Sequence, residues 1–372
     1  MTEAEALIAL NQLPKIGPVK IRALLERFGS GVSSLKQANT TLQQAQGIGP
    51  ETAKIIATWQ DFADPSSELT LARERNIQIL TQQDPDYPAA LRDMYDAPVV
   101  LYVWGTLMER DFHSIGIVGS RKLTHYGREV ARKFSYQLAG AGLTVISGLA
   151  RGIDTAAHEG AVAANGRTIG VLGSGLMQIY PPENLALAEK IAGGFGAIVS
   201  EFSLQTKPDK QTFPQRNRIV AHWSRALLVV ECPSRSGSLI TANMANEAGR
   251  TIYAVPGPID RPTSGGCHDL IRDGATLVTD GSQILDDLSN LPMPVSQNAE
   301  PESSPVENYP NLTDEENLIL KALSGTDSSV DELVRATSLP ANKVSVTLMK
   351  LELRQIVVAL PGQRFQKRSS RF

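Results

Sequence analysis

Residues 213–241 read FPQRNRIVAHWSRALLVVECPSRSGSLIT, and this stretch decides the fold. Arg216, Asn217 and Arg218 open a helix-like segment. Ala226 to Val230 is a short continuous apolar run, the pattern of a strand buried on both faces. Ser234 to Ser238 then forms a Ser/Gly/Arg turn leading into another helix. A loop just past the C-terminal end of a central parallel strand, opening a helix, is where α/β sheets hold phosphorylated ligands. At this level the ligand is either a small nucleotide or a polymer.

Working outward, strands and helices alternate regularly from Ser114 to Leu288. Strand-like runs occur at Ile115–Val118, Thr144–Ile146, Thr168–Leu172, Ala197–Val199, Ala226–Val230, Ile252–Val255 and Thr276–Val278. With helical stretches between them, they predict an α/β fold built on a doubly wound, mainly parallel sheet. Two further strands, Asn76–Leu80 and Val99–Trp104, lead into it.

The flanks differ in character. Residues 1–65 hold a weak repeat, in which Leu13-Pro-Lys-Ile-Gly17-Pro and Gly47-Ile-Gly49-Pro each precede an apolar-periodic run. Both read as a Gly-containing hairpin with Pro in the first helical turn, resembling a tandem helix-hairpin-helix domain. Such hairpins either bind a backbone phosphate through their amides or serve only as packing; Lys15, Lys20 and Arg22 favour the first copy for binding. Residues 66–288 form the α/β core. Residues 289–311 carry five prolines, at 292, 294, 301, 305 and 310, and read as a semi-extended linker. Residues 312–372 show three helices and a strand-like alternation at Ile356, Val358 and Leu360 before a Pro361-Gly362 turn. Capping boxes Thr313/Glu316 and Ser329/Glu332 start the first two helices. The pattern resembles a winged helix-turn-helix with a basic tail.

Composition narrows the function classes. The 372 residues carry a formal charge of −3, so nucleic-acid binding requires a local positive patch. No apolar run approaches the roughly 20 residues of a membrane span, and no signal peptide is visible. Two cysteines, Cys232 and Cys267, read as reduced thiols of a cytoplasmic protein. The five histidines lack metal-ligand spacing, and no metal is expected.

Three strands end in small-residue turns: Gly119-Ser120-Arg121, Ser147-Gly-Leu-Ala-Arg-Gly-Ile-Asp154, and Gly173-Ser-Gly175. None is the dinucleotide fingerprint, so no cofactor is expected. Together with Arg216, Asn217, Arg218 and Ser236-Gly237-Ser238 they predict one phosphate-accepting crevice along one sheet edge. Arg216 is read either as a phosphate contact or as a brace of the crevice. Phe213 is read either as a base-stacking ring or as a core aromatic beneath the loop.

These runs, with Tyr180-Pro-Pro-Glu-Asn184, Phe213-Pro-Gln-Arg-Asn-Arg218 and Ala254-Val-Pro-Gly257, resemble the DprA/Smf family of DNA-processing proteins over residues 66–288. The resemblance implies a Rossmann-like core in a cytoplasmic single-stranded-DNA-binding protein of natural transformation, without enzymatic activity. Such a protein protects incoming strands and helps load a RecA-type recombinase. It also implies DNA contacts at Arg121, Lys210, Phe213, Arg218 and Gly237, beside Ser120, Arg216, Asn217, Ser236 and Ser238 from the turn chemistry. A homodimer is implied too, and the helix-then-strand unit carrying Leu270, Ile271 and Leu277 at the edge of the sheet is the expected contact. Two departures stand out. His222-Trp223 replaces small residues common in the family, and the Tyr180 run lacks the basic residue some relatives carry there.

Two other readings compete. One is a nucleotide phosphoribohydrolase or nucleotide-sensing protein of the same Rossmann-like superfamily, whose hydrolases cleave nucleotides with a glutamate at the start of the helix after the glycine turn. Residues 235–244, RSGSLITANM, carry none, leaving Glu201 and Asp154 as the nearby carboxylates. A transcription regulator is suggested by the winged helix, whose third helix offers Asn342, Lys343, Ser345, Thr347 and Lys350, with Arg364, Lys367, Arg368 and Arg371 in the tail. A proline-rich tether argues against fixed half-site spacing and leaves three options open: a weak duplex DNA contact through the end domains, contact with a partner protein, or neither.

Overall fold

In the computed structural model, residues 1–289, 313–323, 328–337, 339–353, 357–360 and 364–367 are described. The linker beyond Ser289, Ile356, the Pro361-Gly362 turn, Arg368 and Arg371 lie outside them. The chain divides into two units, residues 1–291 and 292–372.

The first unit opens with five helices: α1 (Glu3–Gln12), α2 (Pro18–Phe28), α3 (Gly31–Leu35), α4 (Asn39–Leu42) and α5 (Pro50–Ala57). As the repeat implies, α2 and α5 start with proline behind Gly17 and Gly49. The basic residues of the first hairpin are engaged within the protein. Lys15 Nζ meets Glu51 Oε1 at 2.7 Å, Lys20 Nζ donates to the Lys15 carbonyl at 2.9 Å, and Arg22 donates to the Tyr95 carbonyl at 2.9 Å while lying over that ring. These contacts tie the hairpins to each other and to the core, which favours the packing reading. The helices are also no separate body. Leu7, Leu10, Ile21 and Leu24 belong to one buried cluster with Val100, Tyr102 and Ile198 of the sheet.

The core follows as α6 (Pro65–Glu74), β1 (Ile77–Thr81), α7 (Ala89–Arg92), β2 (Val100–Gly105), β3 (Ser114–Val118), α8 (His125–Gly140), β4 (Thr144–Ser147), α9 (Ile153–Ala163), β5 (Thr168–Val171), α10 (Leu185–Lys190) and β6 (Gly196–Ser200). Then come α11 (Thr212–Trp223), β7 (Ala226–Val229), α12 (Gly237–Glu247), β8 (Thr251–Ala254), α13 (Gly265–Arg272), β9 (Thr276–Leu277) and α14 (Gly281–Ser289). The nine strands lie in the order β1-β2-β6-β5-β4-β3-β7-β8-β9. From β6 to β9 all pairs are parallel, while β2 joins β6 and β1 joins β2 antiparallel.

The apolar runs explain this placement. In β7 Leu227 and Val229 enter the layer with α11 and α12, whereas Ala226 and Leu228 face α8 and α9. A strand covered on both sides needs apolar residues at every position, hence ALLV rather than an alternating pattern. The chain moves outward from β3 through β4, β5 and β6, then returns to lay β7 against the other side of β3. That reversal makes β3/β7 the switch point, where helices diverge to opposite faces and leave a crevice at the strand C-termini.

The second unit holds α15 (Asp314–Ala322), β10 (Ser328–Ser329), α16 (Val330–Thr337), α17 (Ala341–Leu353), β11 (Val357–Leu360) and β12 (Arg364–Lys367), with its small sheet in the order β10-β12-β11. Both capping boxes form: Thr313 N–H donates to Glu316 at 2.8 Å, and Ser329 N–H donates to Glu332 at 2.7 Å. Ile319, Leu333, Val344, Leu348 and Leu351 make its own core. Thr347 is buried there rather than presented outward, while Lys343 and Lys350 are exposed.

Candidate nucleic-acid interface

A crevice of about 640 Å³ lies at the switch point. The turn after β3 supplies Gly119, Ser120, Arg121 and Lys122, and the turn after β4 supplies Gly148, Ala150 and Asp154. Lys210 and α11 line the wall with Phe213, Arg216, Asn217 and Val220, and the turn after β7 adds Arg235, Ser236, Gly237, Ser238 and Thr241. Five basic side chains, Arg121, Lys122, Lys210, Arg216 and Arg235, thus face one carboxylate, Asp154. Among the described residues no carboxylate pairs with Arg121, Lys122, Lys210 or Arg235. The N-terminus of α12 also opens here, where amides and the helix dipole favour an anion.

Helix α11 begins at Thr212, earlier than the sequence reading places it. Phe213, Arg216, Asn217 and Val220 then follow i, i+3, i+4, i+7 and share the crevice face. Arg218 is two residues from Arg216, so it points away. It is buried, with its Nε 3.2 Å from Asp96 and an Nη paired to Glu201. Arg218 is therefore corrected from a DNA contact to a structural ion pair beneath the helix. Burial pushes the Glu201 carboxyl up to about 7 against the pull of Arg218.

Arg216 behaves as the brace. Its guanidinium is buried and donates to the carbonyls of Gly148 and Val171, lashing the ends of β4 and β5 together. Burial lowers its pKa to about 10, partly offset by Asp154, so it stays charged at neutral pH and gives the crevice floor a fixed positive charge. Asp154 accepts N–H bonds from Gly148 at 3.1 Å and Ala150 at 3.4 Å. The guanidinium fits only because position 148 lacks a side chain: a Cβ there would lie 2.5 Å from Arg216 Cζ. Gly148→Ala is expected to expel Arg216 and destabilise the fold by about 2–4 kcal/mol, since a displaced buried cation loses its partners. Denaturant melts of the variant measure this; an unchanged midpoint rejects the brace.

The other turns position the remaining groups. Gly152 has φ +90°, and a Cβ on it would lie 2.1 Å from the Ser120 carbonyl, so only glycine lets the Arg121 turn rest there. Ser120 is buried and its hydroxyl donates to the Lys122 carbonyl at 2.8 Å, so it shapes the turn that carries Arg121. Ser238 is likewise buried, with its hydroxyl against Cys232 Sγ and Ser236. Gly237, Lys210 and Arg121 are exposed, and Asn217 is half-buried. Phe213 is half-buried above Gly173, with Arg121 over its ring at 4.8 Å and Tyr180 beside it at 5.8 Å. The crevice thus gathers every expected contact except Arg218.

Sequence reasoning missed Lys122, Arg235 and Thr263 as lining residues. Their only signal was adjacency to Arg121 and to the Ser236 turn for the first two; Thr263 had none. Trp223 of the unusual His222-Trp223 pair is buried in the core, and His222 bonds the Arg218 and Arg250 segments, so the pair serves packing. Both carboxylates weighed for catalysis are tied up, Asp154 by amides and Glu201 by Arg218. No His/Cys/Asp/Glu cluster suited to a metal occurs among the described residues.

Comparison with known proteins gives consistent results. Residues 78–289 match the model of the family described as DNA recombination-mediator protein A, and residues 302–363 match the DprA winged helix domain. Protein Smf of Synechocystis is 35% identical over 97% of this chain and 98% of its own. DNA processing protein DprA of Streptococcus pneumoniae is 44% identical over 54% of this chain and 71% of its own. The X-ray structure of the S. pneumoniae protein superposes with TM-score 0.64 at 33% identity, covering 77% of this chain and 98% of that one. The Helicobacter pylori DNA processing protein A, solved for its single-stranded DNA binding mode, gives TM-score 0.52 at 28% identity, covering 57% and 96%.

Proposed function

Since this chain belongs to the DprA/Smf family of DNA-processing proteins, we propose that its switch-point crevice holds single-stranded DNA. In this reading it shelters incoming strands during natural transformation and passes them to a RecA-type recombinase in the cytoplasm. One observation carries the strand-binding step: five cations around one amide-bound carboxylate, in a protein whose net charge is −3. That local reversal of sign selects a polyanion. The family model's description as a recombination mediator supports the recombinase partner. No helix among the described residues is long and apolar enough to cross a membrane.

Lys210, Arg121 and the Gly237 and Ser238 amides take phosphates. Phe213 and its stacked Arg121 offer a planar surface to a base, a contact that tolerates any sequence. The test is a titration of the full chain on single-stranded and duplex DNA at several salt concentrations. Preference for single strands with a salt-dependent affinity is expected; equal affinity for both forms rejects the reading. The hydrolase alternative predicts free base from nucleoside monophosphates, and the absence of a disposable carboxylate in the crevice argues against it.

Homodimerisation belongs to the same proposal. Among the described residues strand β9 pairs only with β8; it has two residues and leaves Leu277 46% exposed at the edge of the sheet. Leu270 and Ile271 are half-buried against the core beside it, so Ile271 has a packing role of its own. Leu277→Glu is the cleaner probe. It is expected to give a folded monomer by light scattering, whereas a folded dimer displaces the interface from this edge.

A further inference from the structure

One end of the crevice continues into side chains that do not line it. Arg121 lies over Phe213, 4.8 Å from the ring centroid, and one ring further along Arg151 lies 5.7 Å from the centroid of Tyr180. The two rings are neighbours, 5.8 Å apart and tilted by 39°. The arginine-on-aromatic unit therefore occurs twice in a row. Arg151 comes from the turn after β4 and Tyr180 from the segment after β5, and neither lines the main crevice. Between the two units is a pocket of about 20 Å³, room for one water.

The units differ in one respect. Among the described residues no carboxylate forms a direct ion pair with Arg121, but Arg151 is clasped by Glu183 through both carboxylate oxygens, one of them 3.1 Å from Nη2. Arg151 and Glu183 are each about half exposed, at 51%.

We propose, resting on the strand-binding reading above, that Arg151 and Tyr180 form an outer subsite for the adjoining nucleotide of the same single strand, with Glu183 holding Arg151 until a phosphate replaces it. Alternating cations and rings match the alternating phosphates and bases of a strand. Carboxylate and phosphate offer a guanidinium the same two-oxygen geometry, so the exchange preserves its hydrogen bonds. An exposed ion pair is weak enough to exchange readily. The ring spacing of 5.8 Å is less than two stacking steps of about 3.4 Å each, so no base slides between Phe213 and Tyr180. Successive bases are instead splayed along the ladder.

The test uses the full chain and oligo-dT strands of about 4 to 16 nucleotides, the range over which single-strand sites fill. Arg151→Gln is expected to leave affinity for the shortest strands unchanged and to weaken longer ones about three- to tenfold, with the slope of log K against log salt shallower by about 0.7 on those alone. Glu183→Gln should tighten the longer strands by about threefold as Arg151 is released. Equal loss at every length in Arg151→Gln, or no loss at any, overturns the outer subsite. A wild-type protein that binds none of the strands brings down the crevice reading with it. Wild-type binding weakened by Arg121→Glu but untouched by both outer variants rejects the subsite alone.

Discussion

Arg121→Glu is expected to weaken single-stranded DNA binding by about two orders of magnitude at low salt while the protein remains folded. A hydrogen bond to a charged group is worth about 1.5–3 kcal/mol, and tenfold in affinity is about 1.4 kcal/mol. Reversing the charge adds repulsion from the same phosphate. Stability should change by under about 1 kcal/mol, because Arg121 is exposed and rests on Phe213 only as a cation–π stack. The milder Arg121→Ala should shallow the slope of log K against log salt by about 0.7, one single-strand contact's worth. Anisotropy titrations and thermal melts of the same preparations separate the two effects. A folded Arg121→Glu protein with wild-type affinity takes this residue out of the site.

The second large effect is the opposite in kind. Arg218→Ala should destabilise the fold by about 3–5 kcal/mol, the usual consequence of removing one member of a buried ion pair. It leaves Glu201 buried without its cation and Asp96 without its arginine. The deficit should depend on pH. The folded pKa of Glu201 is raised to about 7, above the ordinary value of 4.5, so the carboxyl is neutral in the folded protein at low pH and ionised above about 7. Loss of Arg218 pushes it higher still. The attraction between Arg218 and Glu201 is therefore small below about pH 7 and grows as pH rises above it, so the deficit should shrink toward pH 5 to the part that comes from the Asp96 pair. Urea melts across this range measure it, and strand affinity of the folded fraction should stay near that of wild type. A stable Arg218→Ala protein that has lost strand binding would restore Arg218 to the crevice.

These two arginines also show what the sequence makes legible. The sheet is readable because strands covered on both faces are written as unbroken apolar runs, ALLV in β7 and AIV within β6. The crevice is readable because close backbone approach demands small residues at strand ends, and Gly148, Gly152 and Gly173 each make room for a neighbour. Arg216 and Arg218 look equivalent in a linear string. At 100° per residue they stand about 200° apart on a helix, so their roles divide once α11 starts at Thr212. The Asp96 and Glu201 partners lie far from Arg218 in sequence, and no local pattern announces them. Lys122 and Arg235 sit on turns, where direction follows from tertiary contacts rather than periodicity.

The shared core of the N-terminal helices and the sheet bears on how this chain can be divided. Its repeated hairpins look like a detachable module, yet Leu7, Ile21 and Leu24 are buried with Val100, Tyr102 and Ile198 in one cluster. A cut at residue 65 would open that cluster along its length and turn interior surface into sticky exterior. The stretch between residues 289 and 313 joins two bodies that each keep a hydrophobic centre of their own. Gene fusion, shuffling between relatives or truncation for biochemistry should therefore succeed at that junction and fail at the earlier one. The piece that travels whole is hairpins plus sheet, and the winged helix is the part free to be exchanged.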